Sequence, residues 1–137
     1  MPAFPPRVLL IMPDQWPRAL LRAALREVGY DALGAPGLVA ALRYRAEVPG
    51  RGSVRLVLID QASLTGDEAE ATLEALVRRH ATPALVLLTK GGPAPSVRAG
   101  VPEGWSRIVR RPASIAELVG TVQQVLPLPP ESTRPLD

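Results

Sequence analysis

Short apolar runs alternate with helix-periodic stretches along nearly the whole chain, and that alternation leaves few folds open. Val8-Leu9-Leu10-Ile11 is a continuous apolar run of β type. Leu20, Leu21, Ala24, Leu25 and Val28 then recur at helical spacing and stop at Gly29, the residue type that most often ends helices. Residues 31–35 read as a weaker strand. Residues 38–46 read as a helix bounded by Gly37 and by Pro49-Gly50-Arg51-Gly52. Val54-Arg55-Leu56-Val57-Leu58-Ile59 is a third strand, apolar on both faces through its second half. Residues 67–79 form the next helix, with Ala71, Leu73, Leu76 and Val77 as its buried stripe and Thr65 with Glu68 as a capping box. Residues 84–88 and 106–110 supply two more strands. Residues 114–125 supply the last helix, headed by a second capping box of Ser114 and Glu117.

Strands apolar on both faces need helices on both sides, which implies a parallel sheet. Right-handed crossovers then give an α/β fold, a three-layer doubly wound sheet of five parallel strands. In such folds the working site lies beyond the carboxyl ends of the strands, near the point where strand order reverses. That places Met12-Pro13-Asp14, Asp60-Gln61, Thr89-Lys90 and Arg111-Pro112 at one pole. Residues 1–6 form a Pro-rich leader and residues 127–137 a Pro-rich tail, so the domain is expected to span 7–126. Its length suits a single domain.

Several function classes fall away on composition. The chain has no Cys, which removes disulfides, thiolate nucleophiles and Cys-ligated metals. His80, the only histidine, cannot build a multi-His metal site. It ends a helix beside Arg79, where it reads as a cation at the helix carboxyl end. The net charge of +3 is a weak footprint for a polyanion, and no basic run exceeds two residues, so no nucleic-acid partner is expected. Fifteen of the sixteen basic residues are arginine, a bias that fits a GC-rich genome. Arg18, Arg22 and Arg26, four apart, read as a solvated helix face. The turn after the first strand holds no glycine, which argues against a dinucleotide site. No apolar run is long enough to span a bilayer, and the first residues do not read as a secretory signal. No membrane insertion and a cytoplasmic location are therefore expected.

The ordered set of motifs resembles the receiver domain of bacterial response regulators, the CheY-like family. Leu20 to Tyr30 looks like that family's first helix and its Gly-Tyr exit. Leu56-Val57-Leu58-Ile59-Asp60 looks like the strand that delivers a phosphoacceptor aspartate. Leu87-Leu88-Thr89 looks like the strand ending in the switch hydroxyl, and Arg110-Arg111-Pro112 like the Lys-Pro step before the last helix.

The resemblance implies phosphoryl transfer to a carboxylate, assisted by a divalent cation, a lysine and a switch hydroxyl. Carried over residue by residue, Asp60 takes the acceptor position and Thr89 the switch hydroxyl. Arg111 stands where the lysine belongs, and Ile108 at the aromatic switch position. Met12 and Pro13 occupy the two positions of the metal-binding acids. Asp14 and Asp60 are the carboxylates left for Mg²⁺, so any such site is weak; no other cofactor is implied. Three prolines and three glycines between residues 91 and 102 leave the fourth helix short or absent, and Gly91 to Gly104 is expected to be a loop.

Two readings follow. In the first, the chain is a single-domain, receiver-like signalling module with a degenerate phosphorylation site. It is not an enzyme and acts through a protein partner, a histidine kinase or a downstream signalling protein, with a homodimer compatible. In the second, it is a working response regulator phosphorylated on Asp60 in a two-component phosphorelay. The Met12-Pro13 pair favours the first. Arg111 is expected to hold Asp60 in an ion pair. Trp16 and Trp105 read as loop residues covering the core. Trp105 and Arg107 are also the candidate partner surface, since Trp and Arg dominate binding hot spots.

Overall fold

Strand residues Arg7–Ile11 and the second half of Gly52–Asp60 are buried without interruption, as strands covered on both faces must be. The computed structural model describes residues 4–45, 47–81, 83–91 and 104–128. Its elements are β1 (Arg7–Ile11), α1 (Gln15–Val28), β2 (Asp31–Ala35), α2 (Leu38–Ala41), β3 (Glu47–Val48), β4 (Gly52–Asp60), a 3₁₀ turn (Gln61–Ser63), α3 (Ala69–Arg79), β5 (Ala84–Thr89), β6 (Arg107–Arg110) and α4 (Ile115–Val125). The five long strands lie parallel in the order β2-β1-β4-β5-β6. The expected three-layer doubly wound sheet is therefore present. The expected fourth helix and loop at 92–103 lie outside the described residues.

Alternation along the strands divides the core in two. Val8, Leu10, Leu56, Leu58 and Val86 face α1 and α4, meeting Leu21, Leu25, Leu118 and Val122. Leu9, Ile11, Val57, Ile59 and Leu85 face α2 and α3, meeting Leu38, Ala41, Leu73, Leu76 and Val77. Each such leucine contributes about 2 kcal/mol relative to leaving it in water.

Several local expectations change. Leu21 and Leu25 are the buried residues of α1; Leu20 and Val28 are exposed. Periodicity marked both, but a helix lying on a sheet buries only one line of them. The helix expected over 38–46 ends at Ala41 and tightens into i→i+3 turns, with Arg43 N–H bonded to Ala40 O at 3.1 Å and Tyr44 N–H to Ala41 O at 3.2 Å. Tyr44 donates its hydroxyl to Gly34 O at 2.7 Å, which ties this turn to β2. The Pro49-Gly50-Arg51-Gly52 stretch that bounds the expected helix is the turn of a hairpin between β3 and β4. Arg51 N–H bonds Val48 O at 2.9 Å around Pro49-Gly50, and Gly50 takes φ 82°, the type II turn position that demands glycine.

The Thr65–Glu68 capping box does not form. α3 begins at Ala69 with Glu68 as its N-cap and no side-chain cap bond. Gly66, at φ 91°, is in a conformation no helix can continue from. The Ser114–Glu117 box does form, at 3.0 and 2.7 Å. Past residue 126, Leu128 still packs on the core beside Gly29, and Tyr30 donates to Leu126 O at 2.6 Å. Burial raises the Tyr30 phenol pKa.

His80 corrects a further expectation. It is 2% exposed, and neither ring nitrogen has a hydrogen-bond partner. Burial, then Arg79 and Arg7, push its pKa below the ordinary value. It is a neutral core residue, not a cation on a helix end.

Candidate functional site

β1 and β4 are neighbours, and their crossovers leave in opposite directions, β1 toward β2 and β4 toward β5. The crevice of a doubly wound sheet opens at that reversal. The strand exits there are Met12 after β1 and Asp60 at the end of β4; Thr89 ends β5 and Arg111 follows β6.

Asp60 is nearly buried, with its side chain 7% exposed. The strand delivers it there because every neighbour from Leu56 to Ile59 is core. Both carboxylate oxygens are engaged. Oδ1 accepts the Ala62 N–H at 3.0 Å, which caps the 3₁₀ turn, and Oδ2 accepts from Arg111 Nη2. The sequence-based expectation of an Asp60–Arg111 pair is met in the geometry. Arg111 is positioned by its own N–H, which bonds Thr89 O at 2.7 Å as the edge-strand ladder runs out.

Thr89 is also engaged. Its hydroxyl donates to Gln61 Oε1 and contacts Gly91 O at 3.1 Å, and it accepts the Gly91 N–H at 3.0 Å. Gln61 was given no role from sequence. Its only signal there is its place directly after the acceptor-like aspartate. Ile108 stands 50% exposed on β6 and does not reach into this pole's hydrogen-bond network.

Where the resemblance puts two metal-binding acids, Met12 is buried and Pro13 exposed. Arg18 bonds the Met12 carbonyl through Nη1 at 2.6 Å. Its stem passes over Gly34, where an added Cβ would sit 3.1 Å from Arg18 Cδ, so a side chain there would displace it. Arg22 likewise donates to Ala32 O at 3.0 Å. These two arginines are structural ties between α1 and the strand ends, which overturns their reading as a solvated face. Only Arg26 of the three is exposed.

Asp14 holds the N-cap of α1, exposed, and makes no side-chain cap bond. Among the described residues no group of three His, Cys, Asp or Glu side chains could hold a metal ion. Trp16, read as a loop residue covering the core, instead stands exposed on the first turn of α1. Trp105 is half-buried against the α3-side core, and Arg107 is exposed on β6. Among the described residues no helix is long and apolar enough to cross a membrane.

No protein-family model and no curated protein matches the sequence. Solved structures do. The chain superposes on the HemR receiver domain of Leptospira biflexa, in its non-phosphorylated form, with a TM-score of 0.68 and 22% identity, over 96% of this chain and 99% of that one. A response regulator receiver domain of Bacillus halodurans gives 0.67 at 20% identity, over 90% and 98%. A response regulator of Thermotoga maritima gives 0.65 at 16% identity, over 90% and 98%. The fold is that of a response-regulator receiver domain.

Proposed function

We propose that this chain is a receiver-like signalling module that acts by protein–protein contact, with Asp60 held in a standing ion pair rather than serving as a phosphoacceptor. The observation that carries this reading is the engagement of both Asp60 oxygens, one by Arg111 and one by Ala62 N–H. Each oxygen keeps a second lone pair, so the reading turns on the cation that an attacking carboxylate needs to neutralise the developing charge. Here the cation is a guanidinium on the chain itself, and two acid positions hold Met12 and Pro13. Mg²⁺ dehydrates reluctantly and needs carboxylates to compensate, so Asp60 and Asp14 make a poor cage.

On this reading the switch hydroxyl of Thr89 is held by Gln61 and Gly91 without phosphate. The output is then a constant surface rather than a phosphate-driven one. Trp105, Arg107 and the exposed Ile108 form the proposed contact face for a protein partner, and no turnover chemistry is assigned.

The test is incubation with Mg²⁺ and a small acyl phosphate or phosphoramidate, followed by intact-mass measurement. An unchanged mass is expected. An added phosphoryl group that disappears in Asp60→Asn would establish the phosphorelay reading instead.

A further inference from the structure

Positive charge gathers at the pole opposite Asp60, where β1, β2 and β4 begin. Arg7 opens β1 with its side chain only 3% exposed. Its Nη1 donates to Gly52 O at 3.0 Å, while its buried Nε lies 3.2 Å from Asp31 Oδ2 without forming a hydrogen bond. Arg51 closes on the same carboxylate as a fork, at 2.9 and 2.7 Å. Two guanidinium groups therefore share one carboxylate. Arg55 adds a third cation. All three line one open cleft of about 270 Å³, and no acidic side chain among the described residues lines it with them.

An irregularity in β4 puts Arg55 there. Arg7 pairs with Val54 and Val8 with Leu56, so Arg55 is the extra residue of a bulge. Bulges are rare between parallel strands, and they re-aim a side chain. Val54 and Val57, three apart, both face the α2–α3 core, which breaks the alternation and leaves Arg55 exposed. The cleft's apolar wall is also fixed. Asp31 N–H bonds Pro6 O at 2.9 Å, and two successive prolines stiffen the arm that carries Phe4. The Phe4 ring lies over Gly52, where an added Cβ would sit 3.4 Å from Phe4 Cδ2, and it remains 54% exposed. An open ring face suits a flat aromatic group, and guanidinium forks suit a phosphate.

We propose that this cleft binds a nucleoside monophosphate, with the phosphate held by Arg51 and Arg55 and the base stacked on Phe4. A phosphate dianion matches the two positive charges that Asp31 leaves uncompensated. Arg51 keeps further N–H donors beyond those given to Asp31. An adjoining cleft of about 490 Å³ shares Pro5 and Arg51 and adds Arg26, which leaves room for the sugar. Arg55 and Asp60 are about 16 Å apart by the rise of a strand, so the site does not depend on whether Asp60 takes phosphate. One stack and two charge-assisted contacts on an open cleft set a dissociation constant on the order of 100 µM.

The test titrates adenosine 5′-monophosphate into the full chain by calorimetry, with amide shifts locating the ligand. Shifts should move at Gly52 and Ser53 and stay still at Gln61 and Thr89. Arg55→Gln should weaken binding at least tenfold with an unchanged melting temperature, whereas Arg43→Gln, an exposed arginine away from the cleft, should change it less than twofold. Phe4→Ala should weaken the nucleotide about fivefold and leave inorganic phosphate unaffected. Absence of binding at millimolar nucleotide overturns the proposal. So does binding that Arg55→Gln leaves intact, or shifts confined to the Asp60 pole. Inorganic phosphate binding as tightly as the nucleotide overturns it as well, because the base would then have no seat.

Discussion

Removing Arg111 should cost more alone than together with its partner. In Arg111→Met, Asp60 keeps the Ala62 N–H but loses the charge facing Oδ2. Breaking a fully buried pair from one side costs about 3–5 kcal/mol, because the remaining charge is stranded. The Arg111 side chain is 29% exposed while Asp60 is 7% exposed, so water reaches one side of this pair. The cost should therefore fall to about 2 kcal/mol. Asp60→Asn leaves a guanidinium that can turn to solvent, and should cost about 1 kcal/mol. The double variant removes both charges and should cost about 1 kcal/mol, which leaves a coupling of about 2 kcal/mol between the two positions. Urea unfolding followed by tryptophan fluorescence measures all four proteins. In thermal melts each kcal/mol should appear as about 3–5 °C in a domain of this size. Additive losses, with a coupling below about 0.5 kcal/mol, would refute the standing pair and with it the reading of Asp60 as occupied.

Three further outcomes follow. Because burial, Arg79 and Arg7 lower the His80 pKa, the native state resists a proton that the unfolded chain accepts near pH 6.5. Stability should be whole above that value and decline as pH falls below it, and His80→Leu should flatten the decline when both are melted from about pH 7.5 to about pH 5, a range that brackets the ordinary histidine value. Tyr30→Phe strands the Leu126 carbonyl at the end of α4 and should cost about 1–2 kcal/mol in urea unfolding, with little change in the far-ultraviolet spectrum. Mg²⁺ titration watched by amide shifts near Asp60 should not saturate below millimolar metal; saturation there would restore a working metal site.

The layers of this fold were legible in sequence because burial on both faces writes a continuous apolar run, as in Leu56 to Ile59, and no other element does so at that length. Asp60, Thr89 and Arg111 were legible as a group because a parallel sheet sends all strand ends to one pole. What escaped was whatever depends on where a side chain turns. Helical spacing marks Leu20 and Leu21 alike, and only the neighbouring sheet decides which is buried. The spacing of Arg18 and Arg22 gave a polar face, yet long flexible stems let both reach back to strand carbonyls. Gly34 gave no sign that it makes room for one of them. His80 looked like a cation on a helix end, because sequence cannot show that the end is buried against Arg7 and Arg79. Gln61 escaped because an amide that holds one hydroxyl needs no motif.

The departures at the sheet's carboxyl pole are physically linked. A carboxylate as buried as Asp60 is expensive without a countercharge, by several kcal/mol. Acids at positions 12 and 13 would worsen that balance unless a metal ion came with them. Met12 and Pro13 remove both the repulsion and the need for the ion. The countercharge must then come from the chain, and it must not leave. A lysine is a mobile, strongly hydrated point charge that loses its proton readily when buried, whereas arginine is more weakly hydrated, keeps its charge and offers a planar fork matched to a carboxylate. Arg111 has its backbone fixed through Thr89 O, so the fork needs little ordering to close. The cation is also tethered, so pairing with it is an intramolecular step. Met12, Pro13 and Arg111 thus favour the same state, one in which Asp60 is neutralised by the chain itself. Thr89, held through Gln61 and Gly91, sits in the same closed network. On the function proposed above, such a pole leaves the fold one fixed surface for a protein partner.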